Sequence, residues 1–544
     1  MEVAPISSIN SSPNYGICFA GQDHMTRKPF ERRRMRTIEV VVTRQRSLII
    51  WVGLTIVTLF TQYRSGAYHA DFARDPDEPA HAVSALMVHD YLVQAFPANP
   101  IRFAHTFSDH YPKVAIGHWP PLFYCLEGSW MLLFGRTRAA LLLFVALCGI
   151  TLAGSVYFMV RRLTSTPIAW LSVAVLMCSP LFLSLVCSVR PDLLLALLVF
   201  WAAISIANYM VSRQRNWLIS CLVLGAMAML VHGRGAVLLL LPFSVLLVER
   251  RRMTWKWMVA AAVLAFVIAW PHLIVPESHL TLSSFLRLLR VGVLRTALNL
   301  EWLPAIAAVA AILQVTRSEA RQPFWTAMAC LAISNFCFDL MVPLSWSDDN
   351  LLIAALPAWA ALAGYGVQHL CAQLVVSGRA KPSSVRVALM AVALSGLVLT
   401  SIFVPRKHDP GFHQLVASTL LTNADPVLIA ANGLNEGALI AESSLADPAR
   451  MHTILRGSKV LSESTWGGNR YHPRFASSPA MQQFLQSAHV CLAIVQIADP
   501  VTTDQQQLRS ALNLNATWAL VSSGPQIQGL EIYRRTHDAG GHCG

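Results

Sequence analysis

Apolar residues along this chain fall in blocks of roughly 17 to 22, broken by short polar runs, which is the length a helix needs to cross a bilayer. The blocks lie near Ser47–Tyr63, Ala139–Val160, Pro167–Cys187, Asp192–Val211, on either side of His232-Gly233-Arg234, and at Trp257–Val275. Three more end near Arg317, before Ser345 and before Arg379, and a last one covers Val387–Val404. The pattern predicts about eleven spans. Pro120–Phe134 is apolar but short, and predicts a helix lying along the membrane surface.

From residue 405 the rhythm changes. Short apolar runs (Val427–Ala431, Val490–Ile497, Trp518–Val521, Leu530–Tyr533) alternate with helix-like stretches (Leu434–Ser444, Pro479–Ala488, Asp504–Leu512). That alternation predicts a small α/β domain. The expected fold class is an all-α polytopic membrane domain with a small C-terminal α/β extracytoplasmic domain. The expected organisation is a basic, disordered cytoplasmic N-terminus over 1–46, a multi-span domain over 47–404 whose first external loop is 64–138, and the α/β domain over 405–544.

Composition agrees: of 544 residues 55% are hydrophobic and 13% charged, too few charges for a soluble protein of this size. The net charge of +13 does not indicate nucleic acid as a partner. The cations concentrate in alternate loops (Arg161-Arg162, Arg213 and Arg215, Glu249-Arg250-Arg251-Arg252, Arg317 and Arg321, Arg379 to Arg386), which marks those loops as cytoplasmic. Arg27 to Arg46 place the N-terminus on that side too, and Met25 and Met35 are alternative candidate starts to Met1. The odd number of spans then puts residues 405–544 outside. Most cysteines sit in apolar blocks as small hydrophobes, whereas Cys491 and Cys543 are placed to pair.

The opposite loops carry the acids and prolines: Asp75-Pro76-Asp77-Glu78-Pro79, Arg190-Pro191-Asp192, His232-Gly233-Arg234 and Ser347-Asp348-Asp349-Asn350. Asp77 and Glu78 are candidates for a general base beside the bilayer. Adjacent helical positions point about 100° apart, so one of the two can face a given site. Their other reading is the N-terminus of a helix, with Pro79 first and either acid as cap. Lys113, His118, Arg190 and Arg234 are cations suited to a phosphate or diphosphate; lipid headgroup contact and interfacial anchoring are the competing readings. Asp192 and Asp348 are candidates for sugar or acceptor contact, against a helix start and a solvated loop respectively. A divalent metal is open through His118 with Glu78, Asp109 or His110; no other cofactor is expected.

Taken in order, the acid pair in the first external loop, His118-Trp119-Pro120-Pro121-Leu122, Arg-Pro-Asp opening a span, and the basic residue between two later spans resemble the GT-C membrane glycosyltransferases. The likeness is to the dolichyl-phosphate-mannose–protein mannosyltransferase superfamily and its bacterial RgtA/B/C/D-like and lipid A aminoarabinose transferase relatives, over about residues 45–405. It implies a sugar donor on polyprenyl phosphate, a lipid or glycan acceptor among the membrane lipids or in the cell envelope, and Asp77 as the catalytic aspartate. Where the family often has Glu-Lys-Pro-Pro-Leu, this chain has His118-Trp119 before its prolines; Lys113, His118 or Arg190 would stand in for the lysine. The expected activity is an inverting glycosyl transfer on the external face. A transporter or flippase of lipid-linked sugars is the alternative.

Overall fold

The computed structural model describes residues 29–73, 75–114, 117–249, 290, 293–294, 296–298, 302–317, 322–341, 349–420, 426–463, 471–521, 527 and 529–536. The Trp257–Val275 span and Asp348 lie outside these residues. Met1–Gly53 and Leu54–Gly544 are separate compact units. In the first, residues 29–53 belong to helix α1 (Pro29–Arg64); the second holds the helical bundle and the sheet region.

Among the described residues, four helices are long and apolar enough to cross a membrane: Ser47–Arg64 of α1, α5 (Arg138–Leu163), α8 (Asp192–Ser212) and α14 (Pro382–Ile402). The expected continuous span at 167–187 is instead a broken pair, α6 (Thr166–Met177) and α7 (Pro180–Val186), bent by 68°. Pro180 lacks the N–H that would continue the helical ladder, and its ring disfavours helical geometry in Ser179 before it. Shorter or less apolar helices complete the bundle: α9 (Arg215–Val231), α10 (Val237–Glu249), α11 (Trp302–Arg317), α12 (Pro323–Met341) and α13 (Leu356–Val376).

The bundle packs through small residues. A Cβ on Gly364 would sit 2.1 Å from the Ser172 hydroxyl, and one on Gly366 would sit 2.1 Å from the Ala307 carbonyl. Close backbone approach of this kind replaces the hydrophobic drive that lipid surroundings remove. Gln62 is buried but satisfied: its amide donates to the carbonyls of Leu142 (3.0 Å) and Val186 (2.7 Å).

Between α1 and α5 the chain forms α2 (Glu78–Gln94), α3 (Pro100–His110) and α4 (Leu122–Phe134). α4 starts right after Pro120-Pro121 and packs on α2 at Gly128, where a Cβ would lie 2.8 Å from Val88.

Every expected apolar run beyond 405 contains a strand: β1 (Val427–Ala430), β5 (Leu492–Gln496), β6 (Trp518–Leu520) and β7 (Leu530–Arg535). The helix-like stretches are α15 (Gly433–Ala446), α16 (Ser478–Ser487) and α17 (Thr503–Leu514). Three strands escaped the sequence pattern because they are short and none is apolar throughout: β2 (Ile454–Arg456), β3 (Ser462–Glu463) and β4 (His472–Pro473). The main sheet has order β2-β1-β5-β7-β6, with β1 parallel to β2 and β5, and β7 antiparallel to β5 and β6. Cys491, just before β5, is disulfide-bonded; its expected partner Cys543 lies outside the described residues.

The sheet region is fastened to the loop after α1. Arg136 pairs with Asp90 (2.9 Å) and donates to the carbonyls of Ser444 and Leu445 at the end of α15, where a cation complements the helix dipole. Arg138 pairs with Glu442, which also accepts from the Phe72 N–H (3.0 Å). The Tyr111 hydroxyl donates to Asp447 (2.6 Å).

Candidate active site

The three acids of Asp75-Pro76-Asp77-Glu78 have three different fates. Asp75 caps α2: one carboxylate oxygen accepts the N–H of Asp77 (2.9 Å) and of Glu78 (3.0 Å). Its other oxygen takes the Arg190 guanidinium at 2.5 Å. Burial alone would raise the Asp75 pKa; Arg190 and the two backbone N–H groups outweigh it and hold the carboxyl below its usual value. Glu78 is fully buried, 2.5 Å from the Lys407 ammonium, and accepts the Val189 N–H at 3.1 Å. It ties the loop after α1 to the turn before α8 and to the segment after α14. Asp77 occupies the N-cap position but its side chain makes no cap hydrogen bond. It lines a cleft instead, so the cap that the sequence assigned to Asp77 or Glu78 is supplied by Asp75.

Arg190 and Arg234 are both engaged by Asp192, at 2.9 Å each, and Arg190 is bridged onward to Asp75. Asp192, at the mouth of α8, is completely buried. The result is a ladder, Asp75–Arg190–Asp192–Arg234, in which charges alternate and cancel. It explains why two arginines stand on the side where acids were expected. A buried carboxylate is stable only when paired in this way. His232 supports Arg234 by accepting its backbone N–H at 3.1 Å.

Next to the ladder is an aromatic wall. The His81 ring lies 4.4 Å from the Trp119 ring, and its Nδ1 is 2.8 Å from the Tyr124 hydroxyl. Burial, with the positive charge of Arg190, pushes the His81 pKa down to about 3, so the ring is neutral in ordinary buffers. His118 is exposed and edge-on to Trp119 at 4.8 Å. Burial lowers its pKa although Asp77 pulls the other way, so at neutral pH it acts chiefly as a neutral imidazole. Lys113 is almost completely buried beside α15; burial and then Arg456 push its pKa down to about 8, which leaves it mostly charged at pH 7.

The structure thus gathers Asp77, Lys113 and His118 in one region, with Asp75 joining it to the ladder of Arg190, Asp192 and Arg234. It does not gather Glu78 and His118 as metal ligands. Asp109 is not joined to them either, and the His110 imidazole is taken by the His452 carbonyl at 2.9 Å. Among the described residues the one group of three or more His, Cys, Asp or Glu with ligand atoms within 4.8 Å of one another is Asp71, Asp409 and His413. There Asp71 already accepts the backbone N–H groups of Phe412 and His413.

The cleft that Asp77 lines has a volume of about 720 Å³. Its other walls come from Lys113 and from the sheet region, including Arg456 at the end of β2, Lys459, Tyr471 and Asp504 at the start of α17. Sequence reading missed Asp75, Lys407 and all the sheet-region residues. Asp75 had a local signal, since an Asp placed two and three residues before two N–H groups is a capping arrangement. The others had none.

A family model described as dolichyl-phosphate-mannose-protein mannosyltransferase matches residues 118–275. No curated protein matches the chain. Among solved structures, ArnT from Cupriavidus metallidurans is similar over 92% of this chain and 98% of its own, with 15% identity and a TM-score of 0.55. The same protein bound to undecaprenyl phosphate gives 14% identity, 91% and 98% coverage and a TM-score of 0.53. The oligosaccharyltransferase of Archaeoglobus fulgidus is similar over 83% of this chain and 69% of its own, with 11% identity and a TM-score of 0.51. The helical bundle, the sheet region on the loop after α1 and the matched segment together give this chain the fold of the GT-C membrane glycosyltransferases.

Proposed function

We propose that this protein transfers a sugar from a polyprenyl-phosphate carrier to a hydroxyl acceptor on the external face of the membrane, with inversion and with Asp77 as general base. The observation that carries the reading is that Asp77 lines the cleft together with Lys113 and acts electrostatically on both Lys113 and His118. Asp75 and Glu78 fix the turn that holds it there, through Arg190, Lys407 and backbone N–H groups. In the reaction Asp77 takes the proton of the acceptor hydroxyl. That oxygen bonds to the anomeric carbon as the bond from this carbon to the phosphate oxygen breaks, and the lipid phosphate leaves with the electron pair. A single displacement inverts the centre and needs no covalent intermediate. Lys113 and the Arg190/Arg234 ladder meet the negative charge on the leaving phosphate, and His118 supplies a hydrogen bond. Asp192 holds both arginines in place.

The undecaprenyl phosphate in the Cupriavidus ArnT structure supports a lipid-linked donor here. The disulfide at Cys491 suits an oxidising exterior, and so supports placing 405–544 outside the membrane. Among the described residues, the charged groups of the site (Asp75, Asp77, Glu78, Arg190, Asp192 and Arg234) stand at helix ends, which favours an enzyme over a transporter. The decisive experiment is transfer in isolated membranes from a panel of labelled polyprenyl-phosphate sugars, for wild type and Asp77→Asn. Loss of the base should slow transfer by about 10²–10⁴-fold. Equal rates in the two would reject Asp77, and transfer from no donor would turn attention to the transporter.

A further inference from the structure

The cleft beside Asp77 is more than the mouth of the bundle. Its far walls are the loops that leave the C-terminal ends of the parallel strands β2, β1 and β5. From β1 the chain goes first to β2 on one side, and later returns to β5 on the other. Loops that diverge in this way open a crevice outside the strand ends, where open α/β sheets hold ligands. The helix after β1, α15, is 14 residues long and begins in the same crevice at Asn432 and Gly433.

The lining has a definite chemistry. Among the described residues that line it there is no Leu, Ile, Val, Met, Phe or Trp. The apolar part of the lining comes from small or ring side chains, Pro76, Ala430, Ala431, Pro500 and Tyr471, which suit the flat face of a sugar ring better than an acyl chain. Three cations, Lys113, Arg456 and Lys459, face it near Asp77. The buried Glu436 engages Arg456 at 2.7 Å, and it also accepts from the Ser458 hydroxyl at 2.6 Å. Lys113 and Lys459 both have lowered pKa values, first through burial and next through repulsion by Arg456, so the cations crowd one another. A bound anion would relieve that crowding. At the other end stand Tyr471 and Asp504, hydrogen-bonded to each other, with Thr502 and Gln505. A carboxylate, an aromatic ring and amide and hydroxyl groups together suit the hydroxyls and apolar face of a sugar ring.

We infer that this crevice is the acceptor subsite, and that the acceptor is a water-soluble saccharide bearing an acidic group, with the acid at Arg456 and Lys459, the sugar body toward Tyr471 and Asp504, and Lys113 left to the donor phosphate. This reading rests on the glycosyltransferase assignment for its role, but binding can be measured without transfer. The reacting hydroxyl then reaches Asp77 from the aqueous side, and a membrane lipid is not the acceptor.

The test is equilibrium binding to the full chain in detergent. The probes are a short uronic-acid oligosaccharide, a neutral glucose oligosaccharide of equal length, and lysophosphatidylglycerol. The expected result is at least tenfold tighter binding of the acidic oligosaccharide than of the neutral one. That preference should fall about tenfold in Lys459→Glu and return in Lys459→Arg. Tyr471→Phe, in which the ring remains but the hydroxyl is lost, should weaken both oligosaccharides together. Equal binding of the two oligosaccharides, indifference to Lys459→Glu, or preferential binding of the lysolipid that Lys459→Glu abolishes would each overturn the inference. Selective acidic binding with no transfer from any donor would leave the crevice standing and remove the glycosyltransferase reading. Transfer by the enzyme with no selective binding would do the reverse.

Discussion

Glu78→Gln separates a structural acid from a catalytic one. Glu78 is 0% exposed and Lys407 5% exposed, and their charged atoms are 2.5 Å apart. Glutamine retains the shape and an oxygen for the Val189 N–H, 3.1 Å away, but removes the negative charge. The Lys407 ammonium would then be buried without its carboxylate. Breaking a buried pair from one side costs about 3–5 kcal/mol, a large part of the roughly 5–15 kcal/mol that holds a domain together. The neutral pair Glu78→Gln with Lys407→Met has no charge left to strand, and should recover about half or more of that loss. The assay is thermal unfolding of the detergent-solubilised protein for wild type, both single variants and the double, with transfer measured in parallel. The expected outcome is a strong fall in the midpoint for each single variant, partial recovery in the double, and transfer that tracks the folded fraction. A Glu78→Gln protein with wild-type melting and no transfer would refute the structural role and make Glu78 the base. A double variant no more stable than the singles would refute the pairing.

Asp75→Asn retains the acceptor for the Asp77 and Glu78 N–H groups but turns an amide donor toward Arg190; loss of that charge-assisted bond, worth about 1.5–3 kcal/mol, should lower kcat by about 10–100-fold with a smaller change in KM. A loss as deep as that of Asp77→Asn in a normally folded protein would instead make Asp75 the base. Lys113 gives a pH signature. Its pKa falls from 10.5 to about 8 in the folded chain, so between these values the unfolded chain binds a proton that the folded chain does not, and stability rises with pH through that window. Melting curves of wild type and Lys113→Met between pH 8 and about 10.5 should diverge in that sense; parallel curves would count against it.

Much of the architecture was legible in the chain itself. Blocks of apolar residues marked the helices from α5 to α14, and among them α5, α8 and α14 have the length and apolarity that a bilayer imposes on a crossing. The apolar runs after 405 gave β1 and β5, which are buried along their whole length, and the more exposed β6 and β7 beside them. The break between α6 and α7 was hidden, since a Pro inside an apolar block can either kink a span or end it. The candidate site was half legible. Asp77, Lys113, His118, Arg190, Asp192 and Arg234 stood out as charges where charge is costly.

What the sequence determined by itself is therefore the inventory: which segments prefer lipid, which form a sheet, and which charged groups the chain retains despite their cost. Only the tertiary structure decided how those charges are spent. Lys407 comes from beyond α14 to neutralise Glu78, and Arg190 reaches back to Asp75, across 329 and 115 residues of chain respectively. The energy of a charge depends on what lies within a few ångströms of it, and that distance has no counterpart in residue number.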